Sequence, residues 1–347
     1  MARRGRDYDE SDVRVRPNRR GSRPRTKDRP AHADAVVGMV TAVDRGRWTT
    51  LVPADAEGPE RIVIAMRARE LGRTPVVVGD RVGMVGDTSG AEGSLARIVR
   101  VEERATLLRR TADDTDPVER AIVANADQLV VVSALANPEP RPRLIDRCLV
   151  AAYDAGMDPL LVLTKSDLAS ADAFLAQYAP LDVPYVTTAV LEPGSAGLAE
   201  LQERLAGRTS VLVGHSGVGK STLVNALVPD ADRATGHVND VTGRGRHTST
   251  SAVGLRLPGS ADDPGWIIDT PGIRSFGLAH VDPDRIIEHF PEMAQGADEG
   301  CPRGCTHDEP DCALDEWVEQ GHAGPGGEQR LDSLRRLLRA RTPETGD

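Results

Sequence analysis

No stretch of the 347 residues approaches the ~18 consecutive apolar side chains that a membrane-spanning helix needs, and no apolar run follows the N-terminal arginines. These absences make a soluble, cytoplasmic protein without membrane contacts the expectation. Cysteine is also scarce. There are four, with Cys148 alone and Cys301, Cys305 and Cys312 clustered. That is a poor disulfide framework for a chain of this length and a better start for a metal site. Cys148 lies in the helical-looking "LIDRCLVAAYDAG" and reads as a buried small hydrophobe. Aromatics are missing from most of the N-terminal third, where Trp48 is the only one between Ala33 and Glu103. A protein that simply coats nucleic acid is disfavoured by the net charge of -10. The charge is uneven, however: residues 1–30 carry 11 Lys/Arg against 5 Asp/Glu. This tail has almost no apolar side chains to offset ordering, so it reads as disordered and phosphate-seeking. A merely solubilising tail is the plainer alternative.

What is present falls into three textures. From Ala35 to about Val101 come "AVVGMVTAV", "WTTLVPA", "ERIVIAMRA", "VVVGDRVGMVG" and "ARIVRVEE", separated by Gly, Asp and Pro turns. Five short strands fit a small barrel of OB type, a fold that often binds RNA by stacking bases on aromatics. With Trp48 alone, such a barrel would grip backbone and shape instead; a purely structural barrel is the other reading. Beyond Glu103, apolar strand runs ("DQLVVVSAL", "PLLVLTK", "VPYVTTA", "SVLVG", "GWIIDTPG") alternate with helices near Leu144–Ala155, Ala171–Tyr178 and Ala199–Leu205. That alternation predicts a mostly parallel, doubly wound sheet. Past Pro283 a Cys/His-rich segment leads into "GGEQRLDSLRRLLRARTPETGD". There Leu331, Leu334, Leu337 and Leu338 share one helix face, with Arg335, Arg336 and Arg339 around the others. The helix is either docked with a solvated basic face or in contact with RNA.

The chemistry concentrates in four motifs. "GHSGVGKST" comprises Gly214, His215, Ser216, Gly217, Val218, Gly219, Lys220, Ser221 and Thr222, and matches G-x-x-x-x-G-K-[ST] between a strand and a helix. Its glycines let backbone N–H groups wrap phosphates at a helix N-terminus. Lys220 would reach the β and γ phosphates, and Ser221 would ligate Mg²⁺. A serine-hydrolase elbow is excluded, because glycine would be needed where Val218 stands. Thr164, Lys165, Ser166 and Asp167 end a strand run, where a ligand-facing loop is expected. The Asp167 carboxylate can accept from guanine N1–H and the 2-amino group, a pair adenine lacks, and Lys165 can lay its stem across the base. Threonine stands where this motif more often has Asn, and its single short hydroxyl is expected to hold the loops together less well. "TTA" (Thr187–Ala189) could back the base with a main-chain N–H. Asp269 would hold Mg²⁺ through water and the Gly272 N–H would meet the γ-phosphate. Between them and the phosphate loop, "GRGRHTSTSAVG" (Gly243–Gly254) reads as a mobile loop whose Thr248 or Thr250 joins Mg²⁺ only with a triphosphate. Ile273 takes the place of a water-orienting glutamine, which leaves His247 as the internal candidate for that task.

The fourth motif, "CPRGCTHDEPDC", offers Cys301, Cys305, His307 and Cys312 within twelve residues. Three thiolates and one imidazole suit tetrahedral zinc, and four protein ligands imply a closed structural site. In a segment with so little apolar material the metal would supply much of the folding energy. Reduced surface cysteines beside a chance histidine are the alternative.

Together, "TPVVVGDRV", "ANADQLVVV", "LIDRCL", "LTKSDL", "GHSGVGKSTLVNAL", "GRHTSTS", "DTPGIRSFGL" and "CPRGCTHDEPDCAL" resemble the small ribosomal subunit-dependent GTPase family (RsgA/YjeQ) over roughly residues 35 to 340. The resemblance implies a multidomain chain. Residues 1–33 would be a basic tail, 34–104 an OB-type β-barrel, 105–280 a circularly permuted α/β P-loop GTPase domain, and 281–347 a helical zinc-binding domain. It implies GTP/GDP and Mg²⁺ at Thr164–Asp167 and Gly214–Thr222, and one Zn²⁺ on the Cys₃His set. It further implies a monomer that binds the small ribosomal subunit and its rRNA in late maturation, with GTP hydrolysis stimulated by the subunit and coupled to release. The departures are Thr164 and a slightly short cysteine cluster. Two other readings remain: a permuted GTPase serving the large subunit, and an RNA-binding checkpoint protein in which nucleotide only sets affinity.

Overall fold

The computed structural model describes residues 32–56, 58–111, 118–189, 196–229, 252–259, 265–270, 278 and 280–340. The basic tail up to residue 31, most of the loop from Gly243, and the segment holding Gly272 and Ile273 lie outside them.

Five strands form the N-terminal barrel: β1 (Val36–Asp44), β2 (Arg47–Val52), β3 (Arg61–Arg67), β4 (Arg81–Gly86) and β5 (Ala96–Val101). They pair in the order β1-β2-β3-β5-β4, and β4 closes on β1. β3 and β5 run parallel and the other pairs antiparallel. Alternation sets the inside: Val40, Ala42, Val63, Ala65, Val82, Met84, Ala96 and Ile98 are all buried. Trp48 joins this core and its indole N–H donates to the Val76 carbonyl at 3.0 Å. The barrel's one aromatic is therefore internal and offers no outside face for stacking.

A hairpin, β6 (Leu107–Arg110) with β7 (Arg120–Ala124), follows the barrel. The chain then builds β8 (Gln128–Ala134), α1 (Pro142–Ala155), β9 (Asp158–Thr164), α2 (Asp172–Ala176), β10 (Tyr185–Thr188), α3 (Ala196–Leu205), β11 (Thr209–Gly214), α4 (Lys220–Leu227), β12 (Val253–Arg256) and β13 (Trp266–Asp269). Strands β10-β9-β8-β11-β13 are parallel neighbours, and β12 is antiparallel to β13. The unbroken apolar runs are explained by burial on both faces. Leu129 and Val131 of β8 enter one core, and Val130 and Val132 enter the other with α3 and α4.

β12 corrects one expectation. Val253 and Gly254 open a strand where a mobile loop was expected through Gly254. Strand pairing on both sides accounts for this: β12 pairs with β13 and meets β1 of the barrel at Ala42–Val253. The barrel thus continues the sheet that carries the parallel strands.

Four helices complete the described chain: α5 (Pro283–Ile287), α6 (Pro291–Gly300), α7 (Ala313–Glu319) and α8 (Gly327–Ala340). Leu331, Leu334, Leu337 and Leu338 of α8 are buried in the same apolar cluster as Leu149 and Tyr153 of α1. The docked reading of α8 holds. Its arginines are paired inside the molecule, Arg336 with Asp146 at 3.2 Å and Arg335 with Asp315 at 2.7 Å. No helix among the described residues is long and apolar enough to cross a membrane.

Candidate functional site

In a doubly wound sheet a ligand crevice opens where the chain reverses its direction of travel across the strands. Here that point lies between β8 and β11. After β8 the chain moves towards β9 and β10; after β11 it moves towards β13. The loops leaving the C-terminal ends of β8, β9, β11 and β13 share one edge because these strands are parallel. The sequence motifs occupy three of those loops, and the fourth, Leu135–Arg141, was not singled out.

The phosphate loop owes its shape to backbone. Gly214 ends β11 so close to β8 that a Cβ would stand 2.5 Å from the Val132 carbonyl oxygen. Gly219, at φ +92°, turns the chain into α4 as its N-terminal boundary residue. Ser216, Gly217, Ser221 and Thr222 are exposed along the mouth, while Val218 is buried beneath it.

The Thr164–Asp167 loop is tied directly to it. Thr164 is buried, and its hydroxyl donates to the Val218 carbonyl at 2.6 Å. The short side chain thus reaches the phosphate loop with its single hydroxyl. Lys165, at φ +58°, sends its ammonium to the Gly217 carbonyl at 3.0 Å and to the Asn137 carbonyl. Ser166 N–H donates to the Thr188 carbonyl at 3.1 Å, which joins the "TTA" strand end to the same assembly. Asp167 is exposed. The Leu135–Arg141 loop was missed, although the "NPEPRP" that follows a buried strand could have flagged it. It supplies the Asn137 carbonyl, and Pro138 and Glu139 help line a small cavity with Ser133, Cys148 and His215. Burial pushes the Cys148 thiol up to about 12, as suits an inert core residue.

Lys220 and Asp269 form an ion pair, so two of the proposed phosphate and Mg²⁺ residues meet at one point. Thr270, next along, anchors the end of β13 by donating to the Leu212 carbonyl at 2.7 Å. His247, Thr248, Thr250 and Gly272 lie outside the described residues.

The second constellation is the Cys₃His set. The ligating atoms of Cys301, Cys305, His307 and Cys312 all lie within 4.8 Å of one another. Cys301 Sγ stands 3.8 Å from Cys312 Sγ and 3.6 Å from His307 Nδ1. The edge of a tetrahedron built on bonds of ~2.3 Å is ~3.8 Å, so the spacing fits a zinc ion. Burial raises the three thiols above their ordinary range and lowers His307. Glu309 shapes the loop: its carboxylate accepts the Thr306 N–H at 3.0 Å. That bond holds Glu309 down to about 2.

Known proteins with these features are similar along most of the chain. The family model described as RsgA GTPase matches residues 101–279. The small ribosomal subunit biogenesis GTPase RsgA of Pseudomonas aeruginosa is 40% identical over 279 residues, covering 78% of this chain and 77% of the relative. The protein of the same name in Azotobacter vinelandii is 40% identical over 276 residues, covering 78% and 76%. Among solved structures, YjeQ from Thermotoga maritima superposes with a TM-score of 0.61 at 26% identity, covering 88% of this chain and 98% of that one. YloQ, described as a circularly permuted GTPase, shares the fold with a TM-score of 0.59 at 21% identity, covering 90% and 98%.

Proposed function

The chain belongs to the RsgA GTPase family and is a GTP-hydrolysing enzyme; from that premise we propose that it acts in the late maturation of the small ribosomal subunit, which stimulates hydrolysis and is left when GDP is formed. The observation that carries this reading is the joining of a guanine-reading loop to a phosphate loop through the Thr164 hydroxyl and the Lys165 ammonium. One ligand with a base at one end and phosphates at the other fits that joint.

In this reading Asp167 accepts from guanine N1–H and the 2-amino group, and the Lys165 stem covers the base. The backbone N–H groups of His215–Gly219 and the α4 N-terminus receive the phosphates. Lys220 exchanges its Asp269 partner for β- and γ-phosphate oxygens, and Ser221 and Asp269 would hold Mg²⁺. Mg²⁺, when bound, neutralises charge on those oxygens. Water attacks the γ-phosphorus, the bond to the β–γ bridging oxygen breaks, and GDP and phosphate leave. His247 would orient the water in place of the missing glutamine, Thr248 or Thr250 would serve as a further Mg²⁺ ligand, and Gly272 would donate to the γ-phosphate. Cys301, Cys305, His307 and Cys312 hold one zinc ion, which crosslinks a segment lacking strands and helices. The charge of the N-terminal tail supports contact with rRNA, and the internal position of Trp48 favours contact of the barrel with backbone and shape over stacked bases. The protein works as a cytoplasmic monomer.

GTP turnover of the chain alone, with purified small subunits and with purified large subunits tests the proposal. Stimulation by small subunits only is expected. Equal stimulation by both, or by neither, overturns it; stimulation by large subunits alone favours a large-subunit factor, and stimulation by neither a nucleotide-gated RNA-binding protein.

A further inference from the structure

The metal loop has a structural problem that its four donors do not solve. Residues 301–312 contain no strand or helix, so the side chains that must converge are not aimed by regular backbone. Three thiolates and a neutral imidazole around Zn²⁺ also leave a net charge of about -1 in a partly buried place. Ligand orientation and charge balance of this kind come from groups outside the donor set.

Those groups are on α8, the last helix. Two of its arginines only dock it: Arg330 pairs with Glu292 and donates to the Pro180 carbonyl at 2.6 Å, and Arg336 pairs with Asp146 and lies 4.9 Å from the Tyr178 ring. Two others reach the metal loop. Arg335 Nε donates to the carbonyl of His307, the imidazole donor itself, at 2.9 Å. Its two terminal nitrogens make parallel 2.7 Å bonds to Asp315 of α7, which begins just after Cys312. One planar fork therefore ties the His307 backbone, the start of α7 and the neighbourhood of Cys312 together, which an ammonium could not do. Arg339 grips the next residue, Asp308, with bonds of 2.8 and 2.5 Å. Between these contacts α8 turns Leu334 and Leu337 into the core shared with α1.

We propose that Arg335, supported by Arg339, completes the zinc site from outside by orienting His307 and balancing the charge of the bound ion, so that zinc binding and docking of α8 on α1 reinforce one another. The proposal rests on zinc occupying the Cys₃His set. It gives the arginines of α8 a task inside the molecule, where the sequence had suggested either solvent or RNA.

The test uses the full chain with zinc as the probe, reading zinc content and zinc affinity by competition with a chromogenic chelator. Arg335→Ala is expected to weaken zinc by about 10- to 100-fold. Arg335→Lys, which keeps charge but loses the fork, falls between that variant and wild type, and Arg339→Ala loses less. The rise in melting temperature on adding zinc shrinks in the same order, by linkage. A merely structural arginine would lower the melting temperature of zinc-loaded and zinc-free protein alike and leave zinc affinity within twofold, and that result overturns the proposal. Should Arg335→Ala fail to fold, Asp315→Asn breaks the same fork from α7 with α8 intact, and unchanged zinc affinity there is equally fatal. A wild-type chain that takes up no zinc defeats the metal reading itself, whereas zinc held equally by wild type and the arginine variants defeats this inference alone.

Discussion

The two candidate ligand loops, Gly214–Thr222 and Cys301–Cys312, are built on opposite plans. The first runs from a strand buried on both faces into a helix, and its bends are set by backbone: contact of Gly214 with Val132 and the positive φ of Gly219. The second has no strand or helix of its own and is shaped by side chains, through Glu309, the α8 arginines and the four donors. A cradle fixed by packing keeps its form whether or not phosphate is present. A loop fixed by donor atoms depends on what the donors hold.

Removing the metal should give the largest effect. With free zinc at about 1000 times its dissociation constant, chelation removes about 4 kcal/mol of stability. The loss should appear as a lower melting temperature and as faster hydrogen exchange in residues 301–340, with the β8 and β11 strands unchanged. Full retention of melting temperature after complete zinc removal would mean that the second loop is also fixed by packing, and the contrast would fail.

Next comes Lys220→Ala. Loss of the ammonium that meets the phosphates should slow turnover by about 100- to 1000-fold, equivalent to about 3–4 kcal/mol in the transition state. Because the loop is held by backbone, thermal stability should move by less than about 1 kcal/mol. A large drop in stability beside the loss of turnover would show that the Lys220–Asp269 pair helps to hold the cradle, and the comparison would need redrawing.

The same contrast explains what could be read from the sequence. Strand–loop–helix order and fixed glycines exposed the phosphate loop, and alternation exposed the barrel, because both are local consequences of backbone chemistry. Four clustered donors exposed the metal set for a similar reason. What escaped depends on partners that no single local pattern contains. The β6–β7 hairpin brings together two short runs with nine residues between them. The β1–β12 junction pairs Ala42 with Val253, and Arg335 meets His307 from the far side of α7. No local pattern marks an arginine as inward-facing when its carboxylate or carbonyl lies on another element. Thr164 is the intermediate case. Its motif was visible, but its hold on Val218, 54 residues on, was not.

Thr164, which with Lys165 braces a loop otherwise held by backbone, also supplies the finest test. Its hydroxyl is buried, donates to the Val218 carbonyl at 2.6 Å, and lies 3.4 Å from the Ser133 carbonyl. Thr164→Val keeps the shape and removes only the donor, leaving the Val218 carbonyl unsatisfied between the two nucleotide loops. Such a loss costs about 1–3 kcal/mol. If the brace aligns the base loop with the phosphate loop, about 1.4 kcal/mol of that should appear as a tenfold weaker GDP affinity, measured with a fluorescent analogue. Thr164→Asn can make the same bond and should stay within a few-fold of wild type. Equal GDP affinity in Thr164→Val and wild type would mean that the Lys165 contacts and the backbone alone set the spacing of base and phosphate. The first plan would then need no hydroxyl brace between its loops.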